Sequence, residues 1–119
     1  MYPIPADFDA NCFVGSTLYE FCVNANQIRL KFDSGLEIVV EGQMTLRTPT
    51  RCDDTLTISP QSPSIQICSL IETEVISMHL SPNRMNLTLV FTDGHYLELV
   101  GDDPYECYRI QTQGREVIV

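Results

Sequence analysis

Residues 28–38 read IRLKFDSGLEI, which is an alternating run, a turn and the start of a second run. In the first run Ile28, Leu30 and Phe32 share one face of a strand, and the two basic residues between them take the other face. This alternation is typical of a sheet with one buried and one wet face. Residues 33–35, Asp-Ser-Gly, supply the turn, because glycine tolerates positive φ and short polar side chains bond to the backbone. The segment therefore predicts a β-hairpin.

A second copy of this pattern lies later in the chain. Residues 87–97 read LTLVFTDGHYL, so that Phe91 and Gly94 match Phe32 and Gly35. Two apolar residues and a strand-like run open each copy, at residues 13–23 and 70–80. The sequence therefore predicts an internal duplication, in which each copy reads as strand, turn, strand, tight turn, strand. We place the copies at about 13–42 and 70–101, with a Pro- and Ser-rich linker at 59–64.

The remaining segments add strands and one ambiguous element. Residues 43–58 predict two strands joined by a loop at 50–54, and residues 108–119 predict a last hairpin around Gln113-Gly114. The first twelve residues predict an irregular arm anchored by Phe8. The inward positions of the strands that return from the two turns are Leu36, Ile38, Val40, Leu97 and Leu99.

Residues 64–70 suit either a strand or a short helix. Ile65 and Ile67 would share a strand face, whereas Ile65 and Cys68 would share a helix face. The preceding Ser62-Pro63 resembles a helix cap followed by proline at the first helical position, which favours the helix.

The length of 119 residues fits a single domain, residues 1–119. An apolar fraction of 44% supports a folded core. The predicted fold is mainly β, with eight to ten short antiparallel strands in a curved sheet, half-barrel or sandwich and at most one or two short helices.

The formal net charge of −9 restricts the class of partner. Nucleic acids and anionic membranes are disfavoured, because both require clustered basic residues. A basic protein is favoured, because complementary charge accelerates association. The same charge could serve solubility alone. The start of the chain, MYPIP, lacks the pattern of a signal peptide, and no run reaches the length of a membrane span. We therefore expect a cytoplasmic protein.

Side chains suited to catalysis are sparse and scattered. The five cysteines form no CxxC pair, which favours buried reduced thiols. His79 and His95 stand apart from one another and from the cysteines, so no metal site is predicted. No phosphate loop, nucleophile elbow or HExxH motif is present. We expect no enzymatic activity and no cofactor, although folding could still assemble an unrecognised site.

Two patterns resemble a known group of proteins. They are the FDSGLEI turn followed by Val40-Glu41-Gly42, and the closing DDPYECY of residues 102–108. Over residues 13–108 the chain resembles a bacterial family of small duplicated β-domain proteins of unassigned function, which is similar to immunity proteins of contact-dependent or secreted toxin systems. Residues 59–69 depart from the family pattern, because this segment is short and rich in Pro and Ser where an amphipathic helix is usual. The resemblance implies a toxin inhibitor, and it carries over no residue role.

The candidate interface is a set of acidic groups with two neighbouring tyrosines. Carboxylates would pair with the Arg and Lys side chains of a basic nuclease domain, and tyrosine often anchors the centre of an interface. We expect a one-to-one complex that occludes the toxin's active site. An alternative is a carrier of a small apolar ligand, which predicts small inward-facing residues. The candidate toxin-binding residues are Asp53, Asp54, Glu72, Glu74, Asp102, Asp103, Tyr105, Glu106 and Tyr108.

Overall fold

The computed structural model describes residues 3–9, 11–48, 55–101, 107–112 and 115–119. Within them ten strands and one short 3₁₀ helix form, which confirms the mainly β prediction. The strands are β1 (Leu18–Val23), β2 (Ile28–Phe32), β3 (Glu37–Val40), β4 (Gln43–Arg47), β5 (Thr55–Ile58), β6 (Val75–Leu80), β7 (Leu87–Phe91), β8 (Tyr96–Val100), β9 (Tyr108–Thr112) and β10 (Arg115–Ile118).

The strands form two five-stranded antiparallel sheets, and each half of the chain contributes two strands to the sheet formed mainly by the other half. The first sheet has the order β1-β2-β3-β9-β10, and the second has the order β5-β4-β8-β7-β6. Each half of the chain therefore gives a three-stranded meander to one sheet and a hairpin to the other. The exchanged hairpins attach through β9 beside β3 and through β4 beside β8.

Both predicted hairpins form with the same geometry. The Phe32 N–H donates to the Leu36 carbonyl at 3.0 Å, and the Phe91 N–H donates to the His95 carbonyl at the same distance. Gly35 and Gly94 turn the chain with φ of 85° and 91°, a region that glycine enters without steric cost. The inward positions are buried as predicted: Ile28, Leu30, Phe32, Leu36, Ile38, Val40, Leu87, Leu89, Phe91, Leu97 and Leu99.

The segments before β1 and β6 pair with each other, and we call residues 15–18 and 72–75 the seam. The Gly15 N–H donates to the Val75 carbonyl at 2.8 Å, and the Glu72 N–H donates to the Leu18 carbonyl at 2.7 Å. Two further bonds, from Leu18 N–H to Thr73 at 3.0 Å and from Val75 N–H to Ser16 at 2.9 Å, complete it. The seam links the two sheets through backbone hydrogen bonds. Each bond that residues 15–18 donate to residues 72–75 is matched by an equivalent bond donated in the opposite direction.

One hydrophobic core receives side chains from both sheets. Phe13 and Phe32 meet edge to face with ring centroids 5.0 Å apart, a favoured aromatic geometry. The N-terminal arm covers part of this core through Phe8, as predicted, and through the more deeply buried Ile4. Arg84 fixes the arm, because its guanidinium donates to the backbone carbonyls of Ile4 and Pro5.

Residues Ile65–Leu70 form the 3₁₀ helix, so the helical alternative is the observed one, but its cap differs from the prediction. Ser64 caps the helix in place of Ser62, since its Oγ accepts from the Gln66 N–H at 3.3 Å. The buried face also differs, because Ile67 and Leu70 are buried while Ile65 is exposed. Side chains three apart eclipse in a 3₁₀ helix, so this pair forms its inner face. The predicted turns at 50–54 and Gln113-Gly114 lie outside the described residues.

The links that lead out of the two meanders pass through glycines that have little room. At Gly101 a Cβ would lie 2.3 Å from the Met85 carbonyl oxygen, and at Gly42 it would lie 3.2 Å from the Cys107 Cβ. The first is a clash with backbone, and the second is a tight contact with the Cβ and the backbone of Cys107 that a small shift can relieve. We expect Gly101→Ala to lower the free energy of unfolding by about 2–3 kcal/mol and Gly42→Ala by about 1 kcal/mol, measured by urea denaturation. Equal effects of the two substitutions would contradict this reading of the packing.

Candidate functional site

Two of the predicted interface residues, Glu72 and Glu74, lie in the seam. Both side chains are exposed, immediately before β6. Glu74 forms a bridge with Thr17, and its carbonyl accepts from the Thr92 N–H at 2.9 Å. The backbone that carries the two carboxylates is therefore fixed by main-chain hydrogen bonds, while the carboxylates themselves face solvent.

Glu72 adopts a left-handed backbone conformation with φ of 73°. By the hydrogen-bond pattern of the seam its counterpart is Gly15, which has φ of 89°. This conformation brings the Cβ of an L-residue too close to its own backbone, so glycine is the usual occupant. The chain thus places a charged side chain at a position where the fold favours glycine.

The other predicted residues divide into two groups. Tyr108 is a correction, because its side chain is only 1% exposed and its hydroxyl donates to the Met85 carbonyl at 2.8 Å. It therefore packs in the core and has no surface to offer a partner. The remaining members of the predicted set lie outside the described residues: Asp53, Asp54, Asp102, Asp103, Tyr105 and Glu106.

The two histidines make local contacts only. His79 is exposed, with its Nε2 3.3 Å from the Ser77 Oγ. His95 is half-buried, with its Nδ1 2.7 Å from the Asp93 Oδ2. The second pair lies in the turn between β7 and β8, where Asp93 also accepts from the His95 N–H, so it stabilises the turn.

Two of the described thiols, those of Cys12 and Cys22, have raised pKa values. Burial raises the pKa of Cys12 to about 11, and a hydrogen bond to the Glu20 carboxylate raises the pKa of Cys22. A raised pKa lowers the thiolate fraction, which is the reactive form. The prediction of buried cysteines holds for Cys107 and is wrong for Cys68, whose side chain is exposed.

The outer face of the second sheet carries a groove of about 520 Å³. We call it the outer groove, and the side chains that line it include Arg47, Ile76, Val90 and Tyr96. In the strand register Tyr96 lies between Arg47 on β4 and Val90 on β7. Ile76 occupies the bulge of β6 next to Val90. Ile76 and Tyr96 are each about half exposed, at 49% and 47%.

Sequence reasoning missed the outer groove because its members are far apart in the chain. A signal was present in Val90 and Tyr96, since both are bulky residues at outward positions of adjacent strands. The alternation of β7 and β8 assigned those positions to solvent, and a pattern of inward residues says nothing about what the outward ones form together.

The outer face of the first sheet is occupied by ion pairs. Arg29 lies 2.6 Å from Glu37, and Arg109 lies 3.5 Å from Glu41. Between the two arginines in the register lies Val39, which is fully buried although it belongs to the outer face. The charged side chains at the centre of this sheet thus cover Val39, and its exposed apolar residues Tyr19, Val23 and Ile118 lie on the edge strands β1 and β10. In the second sheet Tyr96 is exposed on the central strand β8.

No family model, no curated protein and no solved structure matches this chain. In the described part of the chain, no helix is long and apolar enough to cross a membrane. Among these same residues no three His, Cys, Asp or Glu side chains lie close enough together to hold a metal ion.

The left-handed conformation of Glu72 predicts a stabilising substitution. We expect Glu72→Gly to raise the free energy of unfolding by about 1 kcal/mol, because glycine relieves the steric cost of positive φ. The matched control is Glu74→Gly, which has no such relief and should lower stability. Urea denaturation of both variants measures the difference. A loss of stability in Glu72→Gly would show that folding requires the side chain.

The burial of Tyr108 predicts a pH dependence. Burial raises the pKa of its hydroxyl above the usual value of about 10. The stability that this hydroxyl contributes is present below that usual value and is lost as pH rises through the folded-state pKa. Tyr108→Phe should cost about 1–2 kcal/mol at pH 7, because the Met85 carbonyl loses its donor. The gap to wild type should narrow above pH 10 in urea unfolding experiments, and a constant gap would contradict the assignment.

Proposed function

We propose that this protein is a cytoplasmic immunity protein that binds a cognate bacterial toxin domain one to one and occludes its active site, without catalysis of its own. The observation that carries the proposal is the exposed Glu72 in a left-handed conformation. Backbone strain of this kind concentrates at functional sites, because selection retains the side chain despite its cost. At the matching position of the other half the chain has Gly15, which adopts this conformation without the steric cost.

The charge of the chain supports a basic partner. The net charge is −9, and Glu72 and Glu74 present two carboxylates from a fixed backbone. Nuclease toxins carry Arg and Lys side chains that bind phosphate, and carboxylates compete for the same donors. Complementary charge also raises the association rate, which favours capture of a toxin at low concentration.

The interior gives less support to a ligand carrier. A carrier predicts small side chains at the inward positions, but these positions hold large ones, including Phe13, Phe32, Phe91 and Met44, all buried. Large interdigitating side chains fill the space that a ligand would need. Binding of a partner is therefore a function of the protein surface and not of its interior.

We also infer that the two halves arose by duplication, with copies at about 13–42 and 70–101. The matched hydrogen bonds of the seam support this inference, as do the matched bonds from Asp33 N–H to Thr17 and from Thr92 N–H to Glu74, both 2.9 Å. In a duplicated protein one copy can keep the fold while the other acquires the binding residues. The replacement of glycine by Glu72 in one copy agrees with such a division.

Coexpression with a toxin tests the function. A bacterium expresses the toxin domain encoded by the neighbouring gene, with and without this protein, and growth is recorded. We expect the wild-type protein to restore growth. We expect the double variant Glu72→Lys with Glu74→Lys to bind the purified domain at least about tenfold more weakly, because two attractive pairs become repulsive.

The matched control reverses two exposed charges of the first sheet, Glu20→Lys with Glu116→Lys, and has the same net charge as the test variant. It should restore growth like wild type. Failure of the wild-type protein to bind the domain would overturn the immunity function. An equal loss in both double variants would overturn the role of the seam and leave only a general charge effect.

A further inference from the structure

The outer groove is a depression of about 520 Å³ on the second sheet, and Tyr96, which is 47% exposed, lines it together with Ile76 and Val90. We propose that it is the second half of the toxin-docking surface, where an apolar side chain of a basic protein partner is seated against Tyr96, Ile76 and Val90. This inference rests on the immunity function and adds the place and chemistry of the contact. The seam would supply the acidic part of the interface, and the groove its apolar centre.

The side chains of the groove have the composition of an interface centre. Tyrosine and arginine are the residues that most often dominate binding energy, and aliphatic neighbours exclude water around them. Tyr96 and Arg47 are directly opposite each other on β8 and β4, and Val90 is opposite Tyr96 on β7. Three adjacent strands hold these side chains, so their spacing is fixed before any partner binds, which limits the entropy lost on binding.

Comparison of the two sheets shows that the fold does not require this surface. By register, Tyr96 and Val90 correspond to Glu37 and Lys31 of the first sheet. There Glu37 pairs with Arg29, and Lys31 lies 3.9 Å from Glu20. The same strand geometry is thus compatible with charged side chains at these positions. The fold therefore does not require apolar side chains at these two positions of the second sheet.

The position of the groove argues for a basic occupant. Thr92 lines the groove, and its N–H donates to the carbonyl of Glu74 in the seam. On the same face Glu98 lies beside Arg47 and Tyr96 in an adjoining depression. Although Arg47 brings one positive charge to the groove, Glu98 lies beside it and the chain as a whole carries −9, so a partner with Lys or Arg near an apolar residue matches this arrangement. A second copy of the chain matches it less well, because both copies carry a charge of −9.

The chain offers a matched pair of positions for the test. Ile76 and Tyr19 occupy the bulges of β6 and β1, and their exposed fractions are 49% and 51%. Binding of the purified toxin domain is measured by titration calorimetry for Ile76→Asp, Tyr96→Asp and the control Tyr19→Asp. We expect at least about tenfold weaker binding for the first two and a change of less than about twofold for the control. Urea denaturation of each variant reports whether the fold is intact.

A photocrosslinker gives a second readout that does not depend on a destabilising charge. Benzoylphenylalanine replaces Tyr96, or Tyr19 as the control, and the protein is irradiated with the toxin domain. An adduct from position 96 and none from position 19 supports the proposal. Adducts from position 19 alone would overturn it.

The remaining outcomes separate this inference from the function on which it rests. If wild type does not bind the toxin domain, the immunity function fails and the groove assignment fails with it. If wild type binds, while Ile76→Asp and Tyr96→Asp bind equally well, the function stands and the groove assignment is wrong. A wild-type dimer in sedimentation experiments that Ile76→Asp abolishes would assign the groove to a second copy and overturn the basic partner.

Discussion

The seam is the interaction on which the arrangement of the two sheets depends. Four backbone hydrogen bonds join residues 15–18 to residues 72–75, and they connect the first strand of one meander to the first strand of the other. The exchanged hairpins make a second connection, through the β3–β9 and β4–β8 ladders. The glycines at 42 and 101 follow the two meanders in confined space, where an added Cβ would meet Cys107 or Met85. The two sheets consequently share a core to which both contribute.

The sequence specified the hairpins well and the long-range pairing poorly. Alternation and turn glycines identify the β2–β3 and β7–β8 hairpins, because the two-residue period of a strand and the positive φ of its turn each require a pattern that is visible in a short stretch of sequence. Main-chain pairing in the seam produces no such sequence pattern, since backbone hydrogen bonds do not depend on side-chain type. The sequence predicts Ser62 as the cap of the 3₁₀ helix, whereas Ser64 is the observed cap. Both serines flank Pro63, and only the helical geometry distinguishes them. Tyr108 was assigned to the surface by its acidic neighbours, whereas its alternation with Ile110 marks it as inward.

The two outer faces divide the surface into parts with different physical properties. Charged side chains at the centre of the first sheet pair with one another, as Arg29 does with Glu37, and the exposed apolar residues of this sheet lie on its edge strands β1 and β10. The second sheet exposes Tyr96 and Ile76 and lies beside the carboxylates of the seam. The acidic residues could be found in the sequence because the charge of each residue follows from its type. The apolar surface could not, because it depends on which strands are neighbours in space.

The exchange of hairpins has a consequence for a chain that is cut. Strands β4 and β5 precede the linker at 59–64 but lie in the second sheet, and β9 and β10 follow it but lie in the first. A protease that cleaved the linker would produce two fragments that remain interleaved, each holding a hairpin of the other's sheet. Their separation would require rupture of the seam and of two antiparallel ladders, and exposure of the common core. A cut in the linker therefore does not by itself release either half, and integrity of the polypeptide is a poor measure of whether the domain is intact.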